Sequence, residues 1–190
     1  LAHGVSLKTL VAVTSTALAL LPTALLAELF VRLAGLSGYA SEEAAFLRYQ
    51  APEVANIRAL LIAGIVVGAL GVLDDITISQ ASIVQQLHQL NPQIGLWESF
   101  RRAMQVGQDH IASMVNTLAL VYAGAAIPLL LLLRTSPLPL GYLLSQEIIA
   151  EEIVRLVVAS IGLVAAVPLT TLLAVASMAY RARLAPPSDS

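Results

Sequence analysis

Four apolar runs free of charged residues dominate the chain: 9–27, 59–73, 111–133 and 156–180, of 19, 15, 23 and 25 residues. The hydrocarbon core of a bilayer is crossed by about 20 apolar residues in helical form. Helices are needed there because each backbone N–H and C=O must find its partner inside the segment. Three of the runs reach or approach that length unaided. The second reaches it when residues 54–58 are added and the Arg58 side chain stretches back to the interface. Composition argues against the soluble alternative. The 190 residues are 58% hydrophobic and only 12% charged, where a soluble domain carries roughly 25% charge. Too little polar surface remains to cover a water-soluble globule. The fold expected is an all-α integral membrane bundle of four transmembrane helices, at about residues 7–33, 54–74, 109–134 and 151–181. Residues 1–184 form a single domain in this reading, and 185–190 are a polar tail.

The connections between the runs carry their own signals. Ser41-Glu42-Glu43 reads as the capped start of a short helix. Between the second and third spans, residues 76–106 read as an amphipathic interfacial segment. Ile76, Ile83, Leu87 and Leu90 share one helical face, and Asn91-Pro92 interrupts it. Leu96, Trp97, Phe100 and Met104 then oppose Glu98, Arg101 and Arg102, the pattern of a helix at headgroup depth.

Four spans put both termini on one side. Lys8, Arg101, Arg102, Arg181 and Arg183 lie there, against Arg32, Arg48, Arg58, Arg134 and Arg155 on the other. Five against five leaves the positive-inside rule undecided, and only the clustering of the arginines near helix ends favours cytoplasmic termini. A net charge of −2 offers no basic field for nucleic acid. There is no cysteine, so disulfides and thiolate metal sites are excluded. His3, His88 and His110 are scattered outside any zinc-binding spacing, and no nucleophile motif is present. No enzyme activity and no cofactor are expected.

The chemistry that remains is acidic. Asp74 and Asp75 close the second run, with Ser79 and Ser82 at i+4 and i+7 from Asp75. Asp109, Ser113 and Asn116 repeat the spacing at the start of the third span, on the same side of the membrane. An acid near hydrocarbon costs about 2.5–3.5 kcal/mol on insertion scales, so it is usually paired, hydrated or functional. Carboxylates, hydroxyls and an amide supply oxygens for a hard cation or a relay for protons. Alternatively the acids cap helix ends in solvent, and the neutral groups bond neighbouring helices.

The last span opens with Glu147, Glu151, Glu152 and Arg155, in which Glu151–Arg155 and Glu152–Arg155 have pairing intervals. This is either a self-neutralising helix entrance or a place where Arg155 turns inward. Gly64, Gly68 and Gly71, at i, i+4 and i+7, lay a groove where close helix contact is expected. Gly162 and Pro168 make a bend or break in the last span expected, with Thr170 and Thr171 to satisfy freed carbonyls.

Three stretches together resemble the YibE/F-like family of bacterial membrane proteins: residues 71–82 (GVLDDITISQAS), 107–117 (GQDHIASMVNT) and 147–155 (EIIAEEIVR), the last running on to Ser160-Ile-Gly162 and Val167-Pro-Leu-Thr170. Their order and spacing carry the resemblance across nearly the whole chain. It implies a polytopic protein of the bacterial cytoplasmic membrane, commonly longer at its N-terminus, with this chain as its C-terminal transmembrane half or a shortened member. Carried over by position, the polar residues are Asp75, Ser79, Asp109, Asn116, Glu147, Glu152 and Arg155, with Asp74 and Glu151 as companions.

The function expected is a transporter or channel component for a small ion or solute. Asp75 and Asp109 would bind a cation or proton, Ser79 and Asn116 would add neutral ligands, and Glu152 with Arg155 would form a gate or an inter-helix pair. Four spans are few for a pore, so a homo-oligomer in the lipid bilayer is expected. The alternative is a non-catalytic scaffold or accessory subunit of a larger complex.

Overall fold

The computed structural model describes residues 7–51, 56–135 and 137–184, and among these all regular structure is helical. The helices are α1 (Leu7–Leu33), α2 (Glu42–Gln50), α3 (Ile57–Leu90), α4 (Leu96–Ala125), α5 (Ile127–Thr135), α6 (Leu140–Leu144) and α7 (Glu147–Leu184). The expected polar tail and the first residues of the expected second span lie outside the described residues. Helices α1, α3 and α7 are each long and apolar enough to cross a membrane. A fourth crossing exists if α4 and α5, bent by 51° at their junction, count as one span. Pro128 explains the bend: without an N–H it cannot continue the ladder onto the preceding turn.

Local chemistry sets the ends and the interior of these helices. In α1 the hydroxyls of Thr14, Ser15 and Thr16 donate to the carbonyls of Leu10, Val11 and Ala12 at 2.6–3.0 Å, which satisfies them inside an apolar environment. The helix stops at a Schellman turn. Gly35 has φ +65° and bonds the Arg32 carbonyl, while Leu36 bonds the Val31 carbonyl. Ser41 caps α2 as its sequence indicates, accepting from the Ala44 N–H at 3.2 Å. Asn56 does the same for α3 through Ala59. The expected interruption at Asn91-Pro92 is present, with the Asn91 side chain accepting from the Gln93 N–H at 3.2 Å.

The expected segment 76–106 divides between two helices. α3 continues for 34 residues, past Asp74 and Asp75 to Leu90, and α4 begins at Leu96. The acids face outward, and the polar residues that follow find buried partners, so nothing stops the helix. Of the bend or break expected at Gly162 and Pro168, a break is absent, because α7 runs as one helix of 38 residues through both.

The contacts fall into two units, whose boundaries lie within the long helices. Unit 1 comprises 1–21, 70–113 and 162–190. Its core is built from small and β-branched residues, Ala81, Val84, Ala103, Ala174 and Val175 with Val11, packed by Phe100, Leu87 and Met178. Small side chains let membrane helices approach closely. Unit 2 comprises 22–69 and 114–161, and buries Ala27, Val31, Leu36, Ile65, Val154 and Val158 together. Leu36, brought in by the Schellman turn, packs in the same cluster as Val31.

The expected glycine groove is not an internal contact. A Cβ added at Gly64 or Gly71 would meet nothing within 4 Å, and one at Gly68 would meet only the Tyr122 hydroxyl, at 3.7 Å. The spacing defines a face correctly, but that face points away from the chain's own core.

Candidate functional site

Helical periodicity places the acids of unit 1. On α3, Ile65, Ala69, Leu73, Ile76, Gln80 and Val84 recur every three or four residues and are buried. Gly64, Gly68, Gly71, Asp75, Ser82 and Gln86 recur with the same period on the other side of the helix. Asp74 and Asp75 are both exposed there, and Ser79 is half-buried. The Ser82 hydroxyl is turned back onto the Ile78 carbonyl at 2.8 Å, so it does not serve Asp75. On α4, Ala103 and Gly107 face the core while Gln105 and Asp109 are exposed on the opposite side. Asp75 and Asp109 thus share unit 1, each on the outward face of its helix. Among the described residues, neither Asp74, Asp75 nor Asp109 has an ion-pair partner, and no three histidine or acidic residues are placed to hold a metal.

The interior of unit 1 is where its polar side chains meet. Gln80 is fully buried, and its amide donates to the Ala103 carbonyl at 2.9 Å and to the Thr171 hydroxyl at 2.7 Å. Thr171 in turn donates to the Val167 carbonyl at 2.7 Å. One side chain of α3 thereby holds α4 and α7. Both amide hydrogens are committed, which fixes the orientation of the amide and leaves its oxygen without a partner among the described residues. A second bond, between the hydroxyls of Thr16 and Thr77 at 2.6 Å, ties α1 to α3. Gly107 makes this layer possible. A Cβ there would stand 2.6 Å from Val167 Cγ1 and 2.9 Å from Gln80 Oε1.

Unit 2 holds the remaining candidates. Asn116 lies on the exposed face of α4. Glu147, at the N-terminus of α7, clasps the turn after α1. It accepts from the backbone N–H of Ser37, from the Ser37 hydroxyl at 2.9 Å and from the Gly38 N–H at 2.8 Å. The turn needs glycine at Gly38: its φ is +82°, and a Cβ would meet the Ile57 carbonyl at 2.9 Å. Glu152 and Arg155 approach to 4.0 Å, the outer limit of an ion pair. Glu151, spaced to pair with Arg155, does not do so. It is 7% exposed, with one carboxylate oxygen unpartnered among the described residues, as is the buried Arg155 Nε.

The family model for YibE/F-like proteins matches residues 1–180. The chain belongs to the YibE/F-like family. No curated protein and no solved structure matches it.

In this YibE/F-like chain the resemblance-bearing stretches divide by role. Residues 71–82 present Asp75 outward and Thr77 and Gln80 inward. Residues 107–117 present Asp109 outward and Gly107 inward. The inward set was not singled out from the sequence, although a glutamine inside a long apolar helix is itself a sign of a buried partner. Glu151 and Glu152 are adjacent acids at a helix start and look alike in sequence until burial separates them.

Glu147 has a structural duty that can be measured. Glu147→Ala removes the acceptor for two backbone N–H groups and one hydroxyl. Solvent near Ser37 takes up part of that loss, so a cost of about 1–2 kcal/mol is expected. Ser37→Ala, which keeps both backbone bonds, should cost less. Thermal unfolding in detergent would rank the two, and the reverse order would dismiss the clasp.

Proposed function

We propose that this YibE/F-like protein is a multi-pass subunit of a transporter or channel in the bacterial cytoplasmic membrane. It would carry a small cation or proton and assemble as a homo-oligomer. The observation that carries this reading is the outward placement of Asp75 and Asp109. A carboxylate facing hydrocarbon costs about 2.5–3.5 kcal/mol on insertion scales, and here two acids, together with Gln86, Gln105 and Asn116, stand uncovered by their own chain. A polar path or a second copy against those faces removes the cost. The glycines Gly64, Gly68 and Gly71 extend the Asp75 face along α3, and small residues are what close helix approach between copies requires. Carboxylate oxygens with Ser79 give a hard, oxygen-only ligand set within unit 1, suited to a cation that keeps part of its water.

A specific observation favours a second reading. The bonds of Gln80, Thr171, Thr16 and Thr77 lie inside the chain and serve to hold helices together. A membrane scaffold or accessory subunit, without catalytic activity, needs no more than this.

Thermal unfolding in detergent, across pH and a panel of cations, separates the two. A ligand that binds only the folded state stabilises it by about 2.7 kcal/mol at a hundred times its dissociation constant. The wild type should show such a shift, and Asp75→Asn and Asp109→Asn should lose it while keeping their unliganded melting temperature. Transport through these acids is ruled out if both variants respond as the wild type does. No response in any protein points to the scaffold.

A further inference from the structure

Beyond the acidic faces, unit 2 contains a cleft that no part of the proposed function uses. The end of α5, helix α6 and the start of α7 enclose about 350 Å3 between Leu130, Leu133, Leu138, Leu143, Leu144 and Ile149. That volume lies within the range of about 300–1,000 Å3 usual for small-ligand sites. Arg134 is the one charged side chain among the described residues lining it. No carboxylate among the described residues lies within ion-pairing distance of Arg134.

Position and chemistry agree on what such a cleft would take. Arg134 directly follows the charge-free run 111–133, so its guanidinium comes where the hydrocarbon gives way to headgroups. Tyr142 on α6, 55% exposed, is the kind of amphipathic ring that collects at that depth. An apolar cleft ending in one unneutralised cation complements a molecule with an apolar tail and an anionic head. We propose that this cleft binds an anionic glycerophospholipid, with an acyl chain among the leucines and the headgroup phosphate on Arg134. The planar guanidinium fork matches two phosphate oxygens at once. A larger cleft of about 900 Å3, beside Ala44, Phe46, Leu47 and Leu60, has no charged group on its described lining and offers no such headgroup partner.

The test uses the whole chain in detergent, with phosphatidylglycerol, phosphatidylcholine or inorganic phosphate added. Binding is read by native mass spectrometry and by the shift in melting temperature. Phosphatidylglycerol should remain bound and stabilise more than phosphatidylcholine. Arg134→Gln should weaken phosphatidylglycerol binding about tenfold or more, the effect of losing charge-assisted hydrogen bonds. Leu130→Trp, at a half-exposed position, should fill the cleft and remove lipid binding with little change in the unliganded melting temperature. Equal stabilisation by the two lipids would overturn the proposal, as would undiminished phosphatidylglycerol binding in either variant. A shift from inorganic phosphate as large as that from the lipid would also overturn it, because the leucines would then contribute nothing.

Discussion

Gly107→Ala is expected to destabilise the protein by about 1–3 kcal/mol, the usual cost of forcing a methyl group into a well-packed interior. The added Cβ would lie 2.6 Å from Val167 Cγ1, 2.9 Å from Gln80 Oε1 and 3.1 Å from Gln80 Nε2. Neither neighbour yields easily. Valine is stiff about its first side-chain bond in a helix, and the Gln80 amide is held by bonds to two other helices. Gly71→Ala is the matched control, because its Cβ would meet nothing within 4 Å. Alanine is favoured over glycine in a helix by about 1 kcal/mol, so this control should be neutral or stabilising. Denaturant titration in detergent reads both. If the two substitutions behave alike, the close approach at Gly107 is not a feature of the folded protein.

Gln80→Ala should be the costlier change, about 2–5 kcal/mol by comparison with other buried large-to-small substitutions. It leaves a cavity in the layer and removes two donors at once. Gln80→Met separates these effects, because it keeps the volume and discards the amide. Hydrogen bonds between membrane helices average about 0.6 kcal/mol in double-mutant cycles. Thr171 also retains its bond to the Val167 carbonyl, and the unpartnered amide oxygen disappears. The methionine variant should therefore lose only about 1 kcal/mol. A methionine variant as unstable as the alanine one would show that the polar bonds, not the packing, hold the layer.

The sequence made the apolar runs legible because hydrocarbon thickness is a hard constraint on length. It made the faces legible too: Gly64, Gly68, Gly71 and Asp75 do fall on one side of α3, and Asp109 does share a face with Asn116. What periodicity alone could not supply was which face turns inward. The glycine stripe lies outside the chain's own core, whereas the tight crossing is at Gly107, at the head of a polar stretch that looks like the edge of a span. The helix that carries the second run also continues beyond the run itself. Asp74, Asp75, Thr77 and Gln80 look in sequence like the exit from a membrane helix. With Thr16, Ala103 and Thr171 as partners, Thr77 and Gln80 lie buried while α3 continues to Leu90.

The bond pattern around Gln80 also restricts the mechanics of unit 1. A piston stroke of α3 by one helical turn, about 5.4 Å, would tear its amide from the α4 backbone and the α7 hydroxyl together. It would break the Thr16–Thr77 link in the same movement. Gln80 therefore acts as a transverse pin against axial slip. Rocking α3, α4 and α7 together keeps both Gln80 bonds, and such a motion would carry Asp75 and Asp109 through the same arc.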